Sequence, residues 1–444
     1  MTKKRINILV LLTILVLQAM AQGASITNPS LPVITPNNIN PNQNIYPNFP
    51  NNNQVNYQQD AVTISNVRDR NTAIMKEVQE NELRIGIQRQ TDIQMLTKGG
   101  FPSQSYQEGT SSYYTAFDEI NSMLKGELPL NLSRAVFLAE NAYYDNAINY
   151  QDYQNTLKSN IDFCNQKIEE EKLDKEDNLV KNMMLFRFMS DTLTITDKKT
   201  KRKLSHYPNT YNLDDYDSHI NYDSHFVVKL MQTGKGQCHS MPLYYLILAE
   251  QINAKAYFSL SPKHSFVKIQ DEKGAWYNIE LTCKAILSDA HYMNNSYIKA
   301  EAIRNRIYLE PLDKTNTIAQ MLVELARGYY KKYGMDDFFL KCVNTALEYS
   351  SNNVDALNLK ANYETRLTLT LANLLNAPKP DDMKAKSPEA YKHYEAMQAL
   401  YKQVDDLGYE ELPDRVYADW LKHIDREKAK ANKMPSIFIN VKKE

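Results

Sequence analysis

Near the middle of the chain stand three residues of the types that acyl transfer at an amide carbonyl requires: Cys238, His264 and Glu280. A thiol attacks a carbonyl carbon when a neighbouring base holds or takes its proton, and a third group must fix that base's tautomer. Cys238 closes the glycine-punctuated run Gly234-Lys235-Gly236-Gln237-Cys238, and residues 243–249 that follow are almost wholly apolar. A helix that is apolar all round is buried. Pro242 is compatible with such a helix only in its first turn. The pattern therefore puts Cys238 at or just before the N-terminus of a central buried helix, where free N–H groups and the helix dipole favour negative charge.

His264 and Glu280 fall in runs with period-two character, residues 264–270 and 275–281, joined by the turn Asp271-Glu272-Lys273-Gly274. These runs predict a hairpin, with a further strand over residues 255–260. His264, Phe266 and Lys268 share one face, and Trp276, Asn278 and Glu280 share one face of the partner strand. The turn length puts His264 opposite Glu280 within about one position, with Cβ atoms about 5 Å apart. Asn278, on the same face, is a rival orienting group. The backbone N–H of Cys238 is the one oxyanion donor the sequence suggests. His225 and His239 lie nearby, but Cys283 and His291 show no ligand spacing, so no metal and no other cofactor is expected.

Taken in order, Gly236-x-Cys238 opening an apolar helix, then Lys263-His264-Ser265-Phe266-Val267-Lys268, then Gly274-x-Trp276-Tyr277-Asn278-Ile279-Glu280-Leu281-Thr282 resembles the transglutaminase-like superfamily. That family's papain-like core carries a Cys at a helix N-terminus and His and Asp on adjacent antiparallel strands. The resemblance spans about residues 220–285. It implies Cys238 as nucleophile, His264 as base, and Glu280 where the family usually has Asp, four positions after Trp276. Glu is one methylene longer, so the orienting bond requires a small backbone or rotamer adjustment. The implied reaction is a thioester at Cys238, resolved by water as peptide or isopeptide hydrolysis or by an amine as cross-linking. The other class consistent with the sequence is a catalytically inactive scaffold that binds protein through transglutaminase-like and tetratricopeptide-like modules.

The elements around this site predict an α+β protein. Residues 1–21 read as a signal peptide: Lys3, Lys4 and Arg5, an apolar run too short to span a membrane, then Ala19-Met20-Ala21. Residues 22–59 carry no charge and are rich in Asn, Pro and Gln over most of their length, the composition of a disordered tether. The expected location is therefore exported, periplasmic or secreted, without stable membrane insertion after signal cleavage.

Residues 60–195 read as a helical region, with helical periodicity over residues 132–150 and a helix over residues 175–189. The transglutaminase-like domain follows at 196–312. Within it Lys198, Lys199, Lys201, Arg202 and Lys203 read as a solvated loop near Asp214, Asp215 and Asp217. Residues 313–444 read as helical and tetratricopeptide-like, with residues 317–369 helical and further helices over 388–404 and 413–427. The motif Ala346-Leu347-x-Tyr349-x-x-Asn352-Asn353, followed by Ala356-Leu357-x-Leu359, carries that resemblance.

Composition narrows the functions further. A net charge of -1 supplies no basic field for nucleic acid, and 12 Gly in 444 residues include no phosphate-cradling motif. Four cysteines are too few for a disulfide framework in so long a chain. The expected partners are a peptide, protein or peptidoglycan-type amide substrate, and a protein on the C-terminal helices.

Overall fold

A computed structural model describes residues 57–197 and 200–410. The expected signal peptide, the tether up to residue 56, Lys198, Lys199 and the expected helix over 413–427 lie outside the described residues. The chain divides into two compact units, residues 1–77 and 78–444. The described part of the first is helical, because α1 (Tyr57–Gly99) begins there and takes in the last three residues read as tether. Val67, Ile74 and Met75 are exposed along it.

In the second unit α1 ends at Gly99, and α2 (Thr110–Leu124), α3 (Leu132–Tyr143), α4 (Tyr150–Glu170) and α5 (Asn178–Ser190) follow. Capping explains three of the starts: the side chains of Asn131, Asn149 and Asp177 each accept from backbone N–H groups of the first turn. The helical period over residues 132–150 belongs to two helices. Asp145 and Asn146 take positive φ angles of 53° and 62°, ending α3, and Asn149 caps a new helix that Tyr150 opens.

β1 (Leu193–Thr196) and β2 (Lys203–His206) form an antiparallel hairpin. Part of the basic run read as a loop is therefore strand, with Lys203 pairing Thr196. β3 (Thr210–Tyr211) pairs in parallel with β4 (Lys235–Gly236), bracketing a 3-10 turn at Tyr222–His225 and α6 (Val227–Thr233). α7 (Ser240–Gln251) is buried from Ser240 through Ala249, as its apolar composition requires. Each fully buried Leu or Ile on it stabilises the fold by about 1.5–3 kcal/mol relative to exposure.

Next comes an antiparallel sheet in the order β5 (Tyr257–Ser261), β6 (His264–Gln270), β7 (Trp276–Glu280) and β8 (Ala285–Leu287). Alternation divides its residues between two cores. Val267, Ile269 and Ile279 join the large core that includes Leu243, Tyr245 and Ile247 of α7. Phe266, on the other face, joins a smaller cluster with Tyr292 of α8 (Asp289–Asn295) and Ala302 of α9 (Ala300–Arg304).

The remaining helices are α10 (Lys314–Tyr333), α11 (Asp337–Tyr349), α12 (Val354–Leu374), α13 (Pro380–Lys386) and α14 (Pro388–Asp406). The run read as helical over residues 317–369 is divided in two places. Gly334 ends α10 at a φ of 86°, and Asn353 caps α12. The large core runs through Leu322, Phe339 and Tyr363 of these helices as well as through α2, α3 and α7. The architecture is α+β. Among the described residues no helix is long and apolar enough to cross a membrane.

Candidate active site at the start of the buried helix

Cys238 stands two residues before α7, in a loop pinned on three sides. The Gln237 N–H donates to Ser240 Oγ at 3.0 Å, and Ser265 Oγ of β6 donates to the Cys238 carbonyl at 2.6 Å. On the third side Gln237 accepts from Ser218 Oγ at 2.8 Å and donates its amide to the Asp215 carbonyl. Gly236 is required by close approach, since a Cβ there would lie 2.8 Å from Met241 Cγ and 3.0 Å from Leu230 Cδ1. Pro242 occupies the first turn of α7, where its missing N–H removes no intrahelical bond. The Cys238 side chain is half-buried, whereas Cys164 and Cys342 are fully buried and Cys283 is exposed.

His264 is the first residue of β6 and pairs with Ser261 across the two-residue turn Pro262-Lys263. Lys263 adopts a φ of 55°, the left-handed region that a β-carbon disfavours. The turn sets the imidazole at the tip of the sheet, beside the Cys238 loop. Register brings Val267 opposite Ile279 and Lys268 opposite Asn278. Continued toward the tip, the same register brings Phe266 level with Glu280. His264 is thus diagonal to Glu280, two positions from the directly opposite residue rather than within one, and the longer Glu side chain spans that diagonal.

His264 Nε2 lies 2.5 Å from Glu280 Oε2. That leaves the other ring nitrogen, Nδ1, for the Cys238 side chain, a near neighbour that helps raise the imidazole. Glu280 is almost completely buried and receives three further bonds. Tyr292 Oη donates to Oε2 at 2.8 Å, and the Thr282 N–H and Oγ1 donate to Oε1 at 3.0 and 2.6 Å. Burial alone would keep His264 neutral, but the Glu280 carboxylate and the Cys238 contact prevail and hold the imidazole at about 10. Burial likewise opposes charge on Glu280, yet His264 and the Thr282 donors hold it well below the usual carboxylate range. At neutral pH the pair is imidazolium and carboxylate.

Asn278, the rival orienting group, is engaged elsewhere. Its Nδ2 donates to Asp289 Oδ1 at 2.8 Å, and the same oxygen takes the buried Lys268 ammonium at 2.5 Å. His225 and His239 stack edge to face at 5.6 Å in a partly buried network in which Glu324 faces Arg327 at 2.7 Å and His239 at 4.0 Å. Burial, with the neighbouring His239, lowers His225 to about 4. Cys283 is exposed and His291 bonds Asn295 on its own helix. Among the described residues no three His, Cys, Asp or Glu side chains stand together as a metal site. Asp215 organises its own loop by accepting from the N–H groups of Ile220 and Asn221 at 2.9 Å each, and Asp214 faces Lys235.

Four residues at the site were not picked out from the sequence. Ser265 fixes the Cys238 carbonyl, and Thr282 and Tyr292 hold Glu280. Tyr211, opposite Gly236 in the β3–β4 pair, has its phenol pushed up by burial and then by the charges of Cys238 and Glu280. Thr282 was legible in principle, two residues beyond Glu280 at a strand end. Tyr292 and Tyr211 meet the site only through tertiary packing.

Comparisons with family models, with curated proteins and with solved structures returned no match.

Proposed function

We propose that the protein is a transglutaminase-like cysteine enzyme that attacks an amide carbonyl through Cys238. The observation that carries this reading is the joint placement of Cys238, His264 and Glu280, the imidazole bonded to the carboxylate and neighbouring the thiol. Cys238 adds to the carbonyl carbon as a thiolate whose proton rests on His264, and its backbone N–H is the donor offered to the developing oxyanion. His264, already an imidazolium, gives its proton to the departing amine as the carbon–nitrogen bond breaks, leaving a thioester on Cys238. Water then adds with His264 taking its proton, and collapse expels the thiolate, releasing an acid and restoring the thiolate–imidazolium pair; an amine in place of water forms a new amide.

Hydrolysis of a peptide, isopeptide or peptidoglycan-type amide is the preferred outcome for a chain that reads as exported, since an exported enzyme meets such polymers. The C-terminal helices supply a surface for a protein partner in this reading. The test is acid-quenched intact-mass spectrometry after incubation with glutamine-containing peptides and with a peptidoglycan digest. An acyl adduct that maps to Cys238 and disappears in Cys238→Ala supports the enzyme. Product formation that continues unchanged in Cys238→Ala contradicts it.

A further inference from the structure

α8 connects the sheet to the C-terminal helices by way of α9, and two of its side chains are aimed at the sheet face that carries His264 and Glu280. Asp289 receives Lys268 Nζ at 2.5 Å and Asn278 Nδ2 at 2.8 Å. Lys268 is 2% exposed, so this anchor lies inside the protein on its sheet side. One turn further on, Tyr292 lies with its ring parallel to Phe266, centroids 4.1 Å apart and planes 14° apart. That stack directs Oη at Glu280 Oε2, 2.8 Å away, the same oxygen that bonds His264.

We propose that Tyr292 is a positioning residue for the site, fixing the Glu280 carboxylate in the one orientation that holds His264 toward Cys238. The inference rests on the enzyme reading above. A carboxylate held by Thr282 alone is fixed at Oε1 and can swing Oε2 about that anchor. The diagonal register gives Glu280 a longer reach than a directly opposed residue needs, and extra reach means extra rotamers. Tyr292 removes that freedom at the oxygen used by His264. Burial first, and then the Glu280 charge, push the phenol up, so it remains a proton donor throughout the physiological range. Asp289, Lys268 and Asn278 act one step further back, by fixing where α8 lies against the sheet.

The experiment uses the full chain and Tyr292→Phe, which keeps the stack on Phe266 and removes one oxygen. The rate of iodoacetamide labelling at Cys238 is followed from pH 5 to pH 9 in both proteins, alongside their thermal midpoints. The expected result is a labelling rate at pH 6 about tenfold lower in Tyr292→Phe, a pH profile moved to higher pH, and a midpoint within a few degrees of wild type. In a Glu280→Gln background the same substitution is expected to change the profile little, because the group it acts through has been altered. A folded Tyr292→Phe protein with the wild-type profile overturns the proposal, as does an undiminished effect in the Glu280→Gln background. Slow labelling of Cys238 in the wild type itself overturns the enzyme reading beneath it, an outcome distinct from either of these.

Discussion

His264 Nε2 and Glu280 Oε2 lie 2.5 Å apart although their backbones are diagonal rather than opposite in the β6–β7 pair. The contact decides the ring's orientation: Nε2 is committed to the carboxylate, which leaves Nδ1 as the nitrogen available to the thiol. A neutral orienting group in place of Glu280 would lose the charge that keeps the imidazole protonated, and a shorter acid would lose reach.

Both losses are measurable. Glu280→Gln is expected to bring Cys238 labelling at pH 6 down to the rate of an ordinary cysteine, and to lower any acyl-transfer rate by about 100-fold or more. Glu280→Asp keeps the charge but shortens the diagonal reach by one methylene, and an intermediate loss of about tenfold is expected. Equal rates for wild type and Glu280→Gln would show that the carboxylate does not act on the site.

Stability should depend on pH through the same pair. His264 is raised in the folded state, so its contribution is complete below the unfolded value near 6.5 and fades as pH rises toward about 10. Glu280 is lowered, so its contribution is complete above the ordinary carboxylate value and fades as pH falls through its folded value. The two overlap in full between about pH 4.5 and 6.5. The difference in thermal midpoint between wild type and Glu280→Gln is therefore expected to be greatest near pH 5.5 and to shrink toward pH 10. A difference that grows from about pH 5.5 toward pH 10 would contradict the ion pair.

The Lys268–Asp289 pair predicts an asymmetry. Lys268 is buried and Asp289 has a half-exposed side chain, so removing the acid strands an ammonium inside the protein whereas removing the base frees an acid that water can reach. Asp289→Ala is expected to cost about 3–5 kcal/mol in urea unfolding, and Lys268→Met to be close to neutral. Equal costs would argue that Lys268 is solvated in the folded state.

In the C-terminal helices the critical polar residue is Asp336. It is fully buried, caps α11 by accepting from the Phe339 N–H at 3.0 Å, and accepts from Tyr329 Oη at 2.7 Å and the Gln104 N–H at 2.8 Å. Asp336→Ala strands these donors and is expected to destabilise the protein by about 2–4 kcal/mol in urea unfolding. A loss below about 1 kcal/mol would show that water replaces the missing oxygens.

Local pattern made much of this site legible. The apolar run after Cys238 marks a buried helix, and period-two alternation around Asp271 to Gly274 marks β6 and β7, so Cys238, His264 and Glu280 could be named from spacing. The register is less legible, because a four-residue turn fixes it only to within a position or two, and the diagonal offset of His264 lies inside that range. Asn278 could not be separated from Glu280, since both share a face and the residue that claims Asn278, Asp289, arrives after another strand. Tyr292 and Tyr211 carry no spacing signal at all. The β1–β2 hairpin was hidden by its lysines, which are common on an exposed edge and resemble a loop in composition. Asp145 and Asn146 read as helix in the sequence because helical periodicity continues across the two residues that break it.

The most direct test of the central claim is cysteine labelling by iodoacetamide at pH 6, mapped by mass spectrometry in wild type, in His264→Ala and in unfolded protein. Cys164 is pushed up to about 12 by burial, and burial also raises Cys342 and, together with Glu280, Cys283, so their background labelling is low. The account predicts that Cys238 labels at least about tenfold faster than Cys283 in the folded wild type and loses that advantage in His264→Ala. Labelling of Cys238 no faster than Cys283, or only after unfolding, would contradict it.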